Sequence, residues 1–240
     1  MMYTKAVKIS IAVLLLIMIV GIPLWAQRRG GTGRETRGPE NSSVSGIEAM
    51  ISGIEPTALT VSEKEGVLLM REEEKLARDI YLTLGEYWNI PIFMNIARSE
   101  ETHMASMELL IDRYGLMDPV ETTDRSSRGE YSNEQFGELY RELTERGTQS
   151  FEEALKVGAM VEELDIADLR RLLEEGDNED VDIVYQNLLK GSRNHLRSFH
   201  RQLVRNSGEY VPKYITEEDY TRIWSSRNET GVIMEPEYRF

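Results

Sequence analysis

The stretch Ile96-Ala97-Arg98-Ser99-Glu100-Glu101-Thr102-His103 decides how this chain is read. It lies in a segment, Pro91 to about Tyr114, whose apolar residues Phe93, Ile96, Met107, Leu110, Ile111 and Tyr114 share one helix face. At about 100° per residue, Glu100 and His103 fall in the middle of that face, and Glu101 points away from it. A carboxylate and an imidazole one turn apart on a core-facing stripe are costly to bury unless something pairs with them. A metal ion is one such partner: E-x-x-H on an inward helix face is how four-helix bundles build di-iron and di-manganese sites. The motif alone is common by chance, so the rest of the chain carries the decision.

Working outward, Ser62 caps a helix whose first turn holds Glu63 and Glu65, where the helix dipole favours acid. That helix runs to about Trp88, with Met70, Glu73, Ala77, Ile80, Tyr81 and Leu84 on one broad face. Asn89 and Pro91 mark the break before the next helix, and Gly115 its left-handed stop. Residues 116 to about 149 are too long for a tight turn and contain a short helix from Asn133 to Arg146. A third long helix spans Ser150 to Glu175, ended by Gly176. A fourth spans about Asn178 to Arg205. Four long helices with a long connection between the second and third predict an all-α, ferritin-like four-helix bundle with one crossover.

Each of the four helices puts acid or imidazole on its apolar stripe: Glu73 or Glu74, then Glu100 and His103, then Glu162 and Asp165, then His195. Burying six such groups without a partner would cost several kcal/mol each, by order of magnitude. One divalent centre is the simplest common partner, and imidazole with carboxylate suits iron, manganese or zinc. The plainer readings carry weight one at a time. A lone core histidine is usually a satisfied core residue. Glu162 can pair with an arginine such as Arg78. The run Arg71-Glu72-Glu73-Glu74-Lys75 reads as a solvated helix face. Taken together on four helices, these readings explain less than one shared metal site.

Composition narrows the function further. The 240-residue chain has 28 basic and 42 acidic side chains. Setting aside the first fifty residues, with six basic and three acidic, leaves 22 against 39, or −17. So acidic a domain repels phosphate backbones, which excludes nucleic acid as a partner. There is no cysteine, hence no disulfide, no thiolate metal site and no cysteine nucleophile. Three histidines are present: His103, His195 and His200.

Residues 1–26 carry two lysines and an apolar run from Ile9 to Trp25, and read as a signal peptide or a membrane anchor. Export is the expectation, with cleavage near Ala26 or retention through residues 9–26, and it places the protein outside the cytoplasm; the four arginines after the run would let an uncleaved helix sit with its carboxyl side inside. Residues 27–55 are rich in Gly, Ser, Arg and Pro without a period and read as a flexible linker. The bundle is expected over 56–206 and a tail docking on it over 207–240. Metal ions are the expected partners, and a homodimer is open to the chain.

The motifs Glu74-x-x-Ala77-Arg78-x-x-Tyr81 and Ile96-Ala97-x-x-Glu100-x-x-His103 resemble the first- and second-helix signatures of rubrerythrins. From about Leu59 to Leu203 the chain is similar to a ferritin-like family known as domain of unknown function 2202. The phrases Met70 to Asp79, Glu162 to Leu169 and Gly191 to Leu196 carry that likeness. The rubrerythrin-like register selects Glu74, although Glu73 lies nearer the centre of the stripe by helical angle. The ferritin-like pattern expects E-x-x-H on the fourth helix, where this chain has Ser192 in place of the glutamate; Asp165 can stand in from across the bundle. The resemblance implies a centre of two iron ions, or a mixed Fe/Mn one, with zinc also admissible. Its ligands would be Glu74, Glu100, His103, Glu162, His195 and Asp165, with Tyr81 and Tyr185 beside them. It implies oxygen- or peroxide-linked redox activity of ferroxidase or peroxidase type. No rubredoxin-like electron-transfer module accompanies it, since that needs cysteines. The alternative is a non-catalytic exported bundle for partner binding or metal sequestration.

Overall fold

The computed structural model describes residues 40–123 and 125–234, which form seven helices and, among the described residues, no strand. The N-terminal leader read over residues 1–26 lies outside them. No described helix is long and apolar enough to cross a membrane.

Four long helices make the body: α2 (Val61–Trp88), α3 (Pro91–Tyr114), α5 (Phe151–Glu175) and α6 (Glu179–Arg205). α2 and α3 pair as a hairpin across Asn89-Ile90. Asn89 adopts the left-handed conformation at φ 53°, and Pro91 opens α3. Gly85 lets the two come close, because a Cβ there would lie 2.8 Å from Met94 Sδ. α5 and α6 pair likewise, Ser150 capping α5 through Glu153 N and Gly176 ending it. α2 also packs on α5 and α3 on α6, so the four helices close around a common interior.

The cap of α2 is Thr60, not Ser62. Thr60 Oγ1 accepts from Glu63 N, and Glu63 Oε2 accepts from Thr60 N at 2.8 Å, a reciprocal capping box. Glu63 does more than cap. Its Oε1 accepts from the backbone N–H of Asp177 at 3.1 Å and of Asn178 at 3.0 Å, tying the start of α2 to the α5–α6 turn.

The crossover from α3 to α5 contains the short helix α4 (Glu134–Gly147) and wraps the outer side of α2. It corrects the reading of residues 71–75 as a solvated face, because all five are buried. Arg71 donates to Asp118, at 2.7 Å from Nη2 to Oδ2. Lys75 reaches Asp79 at 2.8 Å and the Ser127 and Glu130 carbonyls. Glu72 accepts from Ser132 N. The crossover's own polar groups satisfy these charges, which is the condition for burying them.

Two outer elements complete the fold. Within the stretch expected to be a linker, Glu40–Ile51 forms α1, which packs on α3 and α6 and buries Ile47 and Ile51, one turn apart. The tail forms α7 (Glu217–Ser225) against α6, burying Tyr220 and Ile223. The buried carboxylate of Glu163 anchors it, accepting from Tyr210 OH and from the backbone N–H of Lys213, Tyr214 and Ile215. His200, outside the inward stripe, stacks on Trp224 and bonds Tyr220 OH.

Burial alone would raise the Glu63 pKa, yet the Thr60 N–H and its other donors hold it down to about 2. A depressed carboxylate adds stability above its ordinary pKa and loses it as pH falls toward the depressed value. Glu63→Ala is expected to cost about 2 kcal/mol at neutral pH, the scale of a lost cap with charge-assisted bonds. That gap should narrow between pH 6 and pH 3.5 in urea unfolding; a gap independent of pH would show that the carboxylate's charge is not what matters.

Candidate metal centre

Glu74 comes from α2, Glu100 and His103 from α3, Glu162 from α5 and His195 from α6, and all five meet between the four long helices. Two groups with ligand atoms within 4.8 Å of one another can hold a metal ion: Glu74–Glu100–His103 and Glu100–Glu162–His195. They share Glu100. Its Oε2 lies 2.7 Å from His103 Nδ1 and its Oε1 lies 2.9 Å from His195 Nδ1. On the flanks, Glu74 Oε2 lies 3.1 Å from His103 Nδ1 and Glu162 Oε2 lies 3.3 Å from His195 Nδ1. The two imidazoles stack with centroids 5.4 Å apart. The order Glu74, His103, Glu100, His195, Glu162 therefore reads the same from either end by residue type.

These distances are those of ion pairs, but most are not hydrogen bonds. Glu74 Oε1, both oxygens of Glu100, Glu162 Oε2 and His195 Nδ1 are buried without a hydrogen-bond partner among the described residues. The atoms are close, yet their donor and acceptor directions do not match one another. Buried polar atoms that converge without bonding one another are what a missing common partner leaves behind. The donors are oxygen and imidazole nitrogen with no sulfur, a set suited to iron, manganese or zinc.

Asp165, one turn beyond Glu162, is fully buried, and neither of its oxygens has a hydrogen bond among the described residues. It faces the same interior but belongs to neither three-residue group. Glu73 is also buried and also stands outside both groups, so Glu74 is the α2 carboxylate in the cluster. Arg78 does not pair with Glu162; it turns to Asp79 at 2.7 Å and to the Arg125 carbonyl. Ser192 donates to the Leu188 carbonyl at 3.2 Å and offers the cluster nothing.

Of the two tyrosines expected nearby, Tyr81 is in place: its hydroxyl donates to Glu162 Oε1 at 2.5 Å. Tyr185 is not. Its hydroxyl faces Gly66, where a Cβ would lie 3.1 Å from it, toward the start of α2. Two residues that the motifs did not announce shape the site. Ser99 Oγ bonds His195 Nε2 at 3.0 Å, leaving Nδ1 for the cluster. Gly191, in the middle of α6, seats the His103 ring, since a Cβ there would stand 2.2 Å from Nε2. A glycine inside a long helix costs about 1 kcal/mol against alanine, and that cost was the available sign.

The electrostatics follow from burial and from the sharing of Glu100. Burial pushes Glu74 up to about 7, with His103 opposing it. It pushes Glu162 up to about 7, with His195 opposing it. Burial works the same way on Glu100, but His195 and His103 on either side outweigh it and hold that carboxyl well below its usual range. Burial would lower His103, yet Glu74 and Glu100 raise it to about 10; His195 is raised well above its ordinary value by Glu100 and Glu162. Asp165 is pushed well up by burial and then by Glu74, Glu73, Glu162 and Glu100. Without a cation, protons hold this cluster together.

Comparison with known proteins adds three findings. The family of the uncharacterized protein domain DUF2202 matches residues 63–227. The uncharacterized protein MJ0754 of Methanocaldococcus jannaschii is 50% identical over 182 residues, covering 76% of this chain and 97% of its own length. The crystal structure of hypothetical protein MJ0754 from Methanococcus jannaschii is similar at a TM-score of 0.71 and 49% identity, covering 73% of this chain and 99% of that one.

Gly191→Ala should leave the helix content unchanged and destabilise the protein by about 1–3 kcal/mol, the scale of an overpacked core. If the cost is the collision with His103, it should largely vanish in a His103→Ala background. An undiminished penalty in the double-mutant cycle, measured by urea unfolding, would place the strain elsewhere.

Proposed function

The chain belongs to the DUF2202 family, and we propose that it is a ferritin-like four-helix bundle holding a di-iron or mixed Fe/Mn carboxylate centre with oxygen- or peroxide-linked redox activity. The observation that carries the reading is the sharing of Glu100. One fully buried carboxylate gives one oxygen to each of two imidazoles, flanked by Glu74 and Glu162, and neither of its oxygens is hydrogen-bonded. Two cations held by these residues, with Glu100 common to both groups, would satisfy that arrangement. The pairing of α2 with α3 and of α5 with α6, joined by the long crossover, supports the ferritin-like reading of the bundle.

Glu74 and His103 would hold one ion, Glu162 and His195 the other, with Glu100 between them and Asp165 as the further carboxylate. Bound there, iron or manganese supplies the electron transfer that side chains cannot. The residues supply everything else. Fully buried carboxylates exclude water, Ser99 fixes which nitrogen of His195 faces the cluster, and Tyr81 keeps its proton on the hydroxyl and orients Glu162. The raised pKa of Tyr81, from burial and then from Glu162, favours that protonated form.

Protein from iron- and manganese-replete cells, purified without a metal-binding tag, should carry about two metal equivalents by elemental analysis, the complement of such a bundle. Glu100→Ala should lose both, because both groups share it, whereas Glu162→Ala should keep about half. Protein free of metal, with no cation-dependent gain in thermal stability, would overturn the reading and leave the non-catalytic bundle in its place.

Ligation needs neutral histidines and ionised carboxylates. His103 is protonated at neutral pH with a pKa of about 10, and Glu74 and Glu162 are divided near 7. Cation uptake at pH 7 should therefore release protons, and affinity should rise with pH between 6 and 8. Titration calorimetry in two buffers of different ionisation enthalpy reads the release directly; identical heats in both would contradict it.

A further inference from the structure

A pocket of about 230 Å³ opens beside the cluster, between α3 and α6. His103 and His195 form part of its lining and are 7% and 8% exposed, whereas Glu74, Glu100 and Glu162 are fully buried. The cluster thus meets its surroundings through the edges of its two imidazoles. The volume lies below the roughly 300 Å³ at which pockets for drug-sized ligands begin, so the occupant is small.

The lining has two characters. Ile47 of α1 and Leu188 of α6 give it an apolar side. Apart from the histidines, the lining's charged side chain is Lys190. Its Nζ donates to Asn187 Oδ1 at 3.2 Å and to the Gly231 carbonyl, so an ammonium with three protons keeps one for a ligand.

This side of the pocket is held firmly. Asn194 Nδ2 donates to the Glu229 carbonyl at 3.0 Å, and Asn194 Oδ1 accepts from Glu229 N at 2.9 Å. Asn187 makes the same pair of bonds with Ile233, at 3.0 and 2.8 Å. Asn187, Lys190 and Asn194 therefore both line the pocket and bind the strap 229–233. Val232 of the strap in turn packs on Gly46 of α1, 3.0 Å from where a Cβ would stand. Both α1 and the strap lie outside the family match of residues 63–227, and together they frame a pocket whose inner side is the cluster.

We propose that this pocket binds a small organic monoanion of the carboxylate class, its head at Lys190 and its apolar body against Ile47 and Leu188, beside His103 and His195. As the place where a substrate meets the centre it rests on the metal reading; as a binding site it does not. The protein's net charge of −14 disfavours anions at long range, so the proposed preference rests on local positive charge, supplied at the head by Lys190.

The test uses the zinc-loaded protein, which is diamagnetic, and three probes of one shape: butyrate, butan-1-ol and butylammonium. Amide shifts in NMR titrations should localise to Ser99, Thr102 and Gly191, with butyrate binding at least tenfold more tightly than butan-1-ol and butylammonium not at all. Lys190→Gln should remove that tenfold preference while Lys190→Arg keeps it, which separates the charge from any loosening of the strap. Ile47→Trp should block butyrate and butan-1-ol alike with zinc content unchanged. Shifts that fail to localise, equal affinity for the three probes, or a preference surviving Lys190→Gln would overturn the proposal. Zinc content is measured on the same samples. Butyrate binding without zinc sinks the metal reading alone, and zinc without butyrate binding sinks the pocket alone.

Discussion

Glu100 is the constraint on which the rest of the structure depends. Its carboxylate has no exposure and sits between two imidazoles, with two further carboxylates outside them. Charges at this depth interact strongly and are costly to desolvate, so the interior is tolerable only when their signs balance. Protons achieve that in one way, by keeping His103 and His195 charged while Glu100 is ionised and Glu74 and Glu162 are half neutral near pH 7. Cations achieve it in another, by letting every carboxylate ionise and both imidazoles go neutral. Protons pair the groups two at a time and leave several oxygens unbonded, whereas a shared ion needs no such pairing. On the proposed function, the second state is the one the cluster is built for.

That arrangement holds because the surrounding packing leaves the ligands little freedom. Gly191 and Gly158 are pressed by His103 and Phe199, and the rings of Tyr81, Phe93 and Phe199 pack against one another at a tilt, with centroid distances of 5.4 to 6.3 Å. Tyr81 belongs both to this aromatic group and to Glu162. The outer charges are managed separately. The crossover satisfies Arg71, Glu72 and Lys75 on the far side of α2, and the tail satisfies Glu163 on α5. Charge on α2 and α5 is thereby partitioned: outward groups bond to loops, and inward groups remain for the cluster.

Much of this was legible from local sequence. Glu100 and His103 stood out by helical angle, and Asn89, Pro91, Gly115, Ser150 and Gly176 marked helix ends by their own chemistry, so α3 and α5 run between the expected residues. What escaped is non-local. The burial of Arg71, Glu72 and Lys75 depends on a crossover some fifty residues away, which no periodicity in α2 encodes. α1 has weak helix-forming composition and exists through Ile47 and Ile51 packing on α3 and α6, the case in which tertiary contact overrides propensity. Thr60 displaced Ser62 as the cap because Glu63, three residues on, could answer it. Tyr185 carried the right periodicity but lies too far along the helix axis, a coordinate that angle alone does not give.

The asymmetry of the ligand set is the last point that charge can address. The ferritin-like pattern would put a glutamate where Ser192 stands, and Ser192 bonds its own helix instead. Glu74, Glu100 and Glu162 alone carry three negative charges, one short of two divalent cations. Asp165 brings the number to four, and it is fully buried with both oxygens unbonded, so nothing else among the described residues accounts for its placement. It also stands on α5, the helix that supplies Glu162, and α5 packs against α6, the helix of Ser192. A carboxylate moved from one helix to its neighbour preserves the charge of the interior while changing its shape. On the proposed reading the departure at Ser192 would alter the geometry around one cation, and Asp165 would supply the fourth charge that two divalent cations call for.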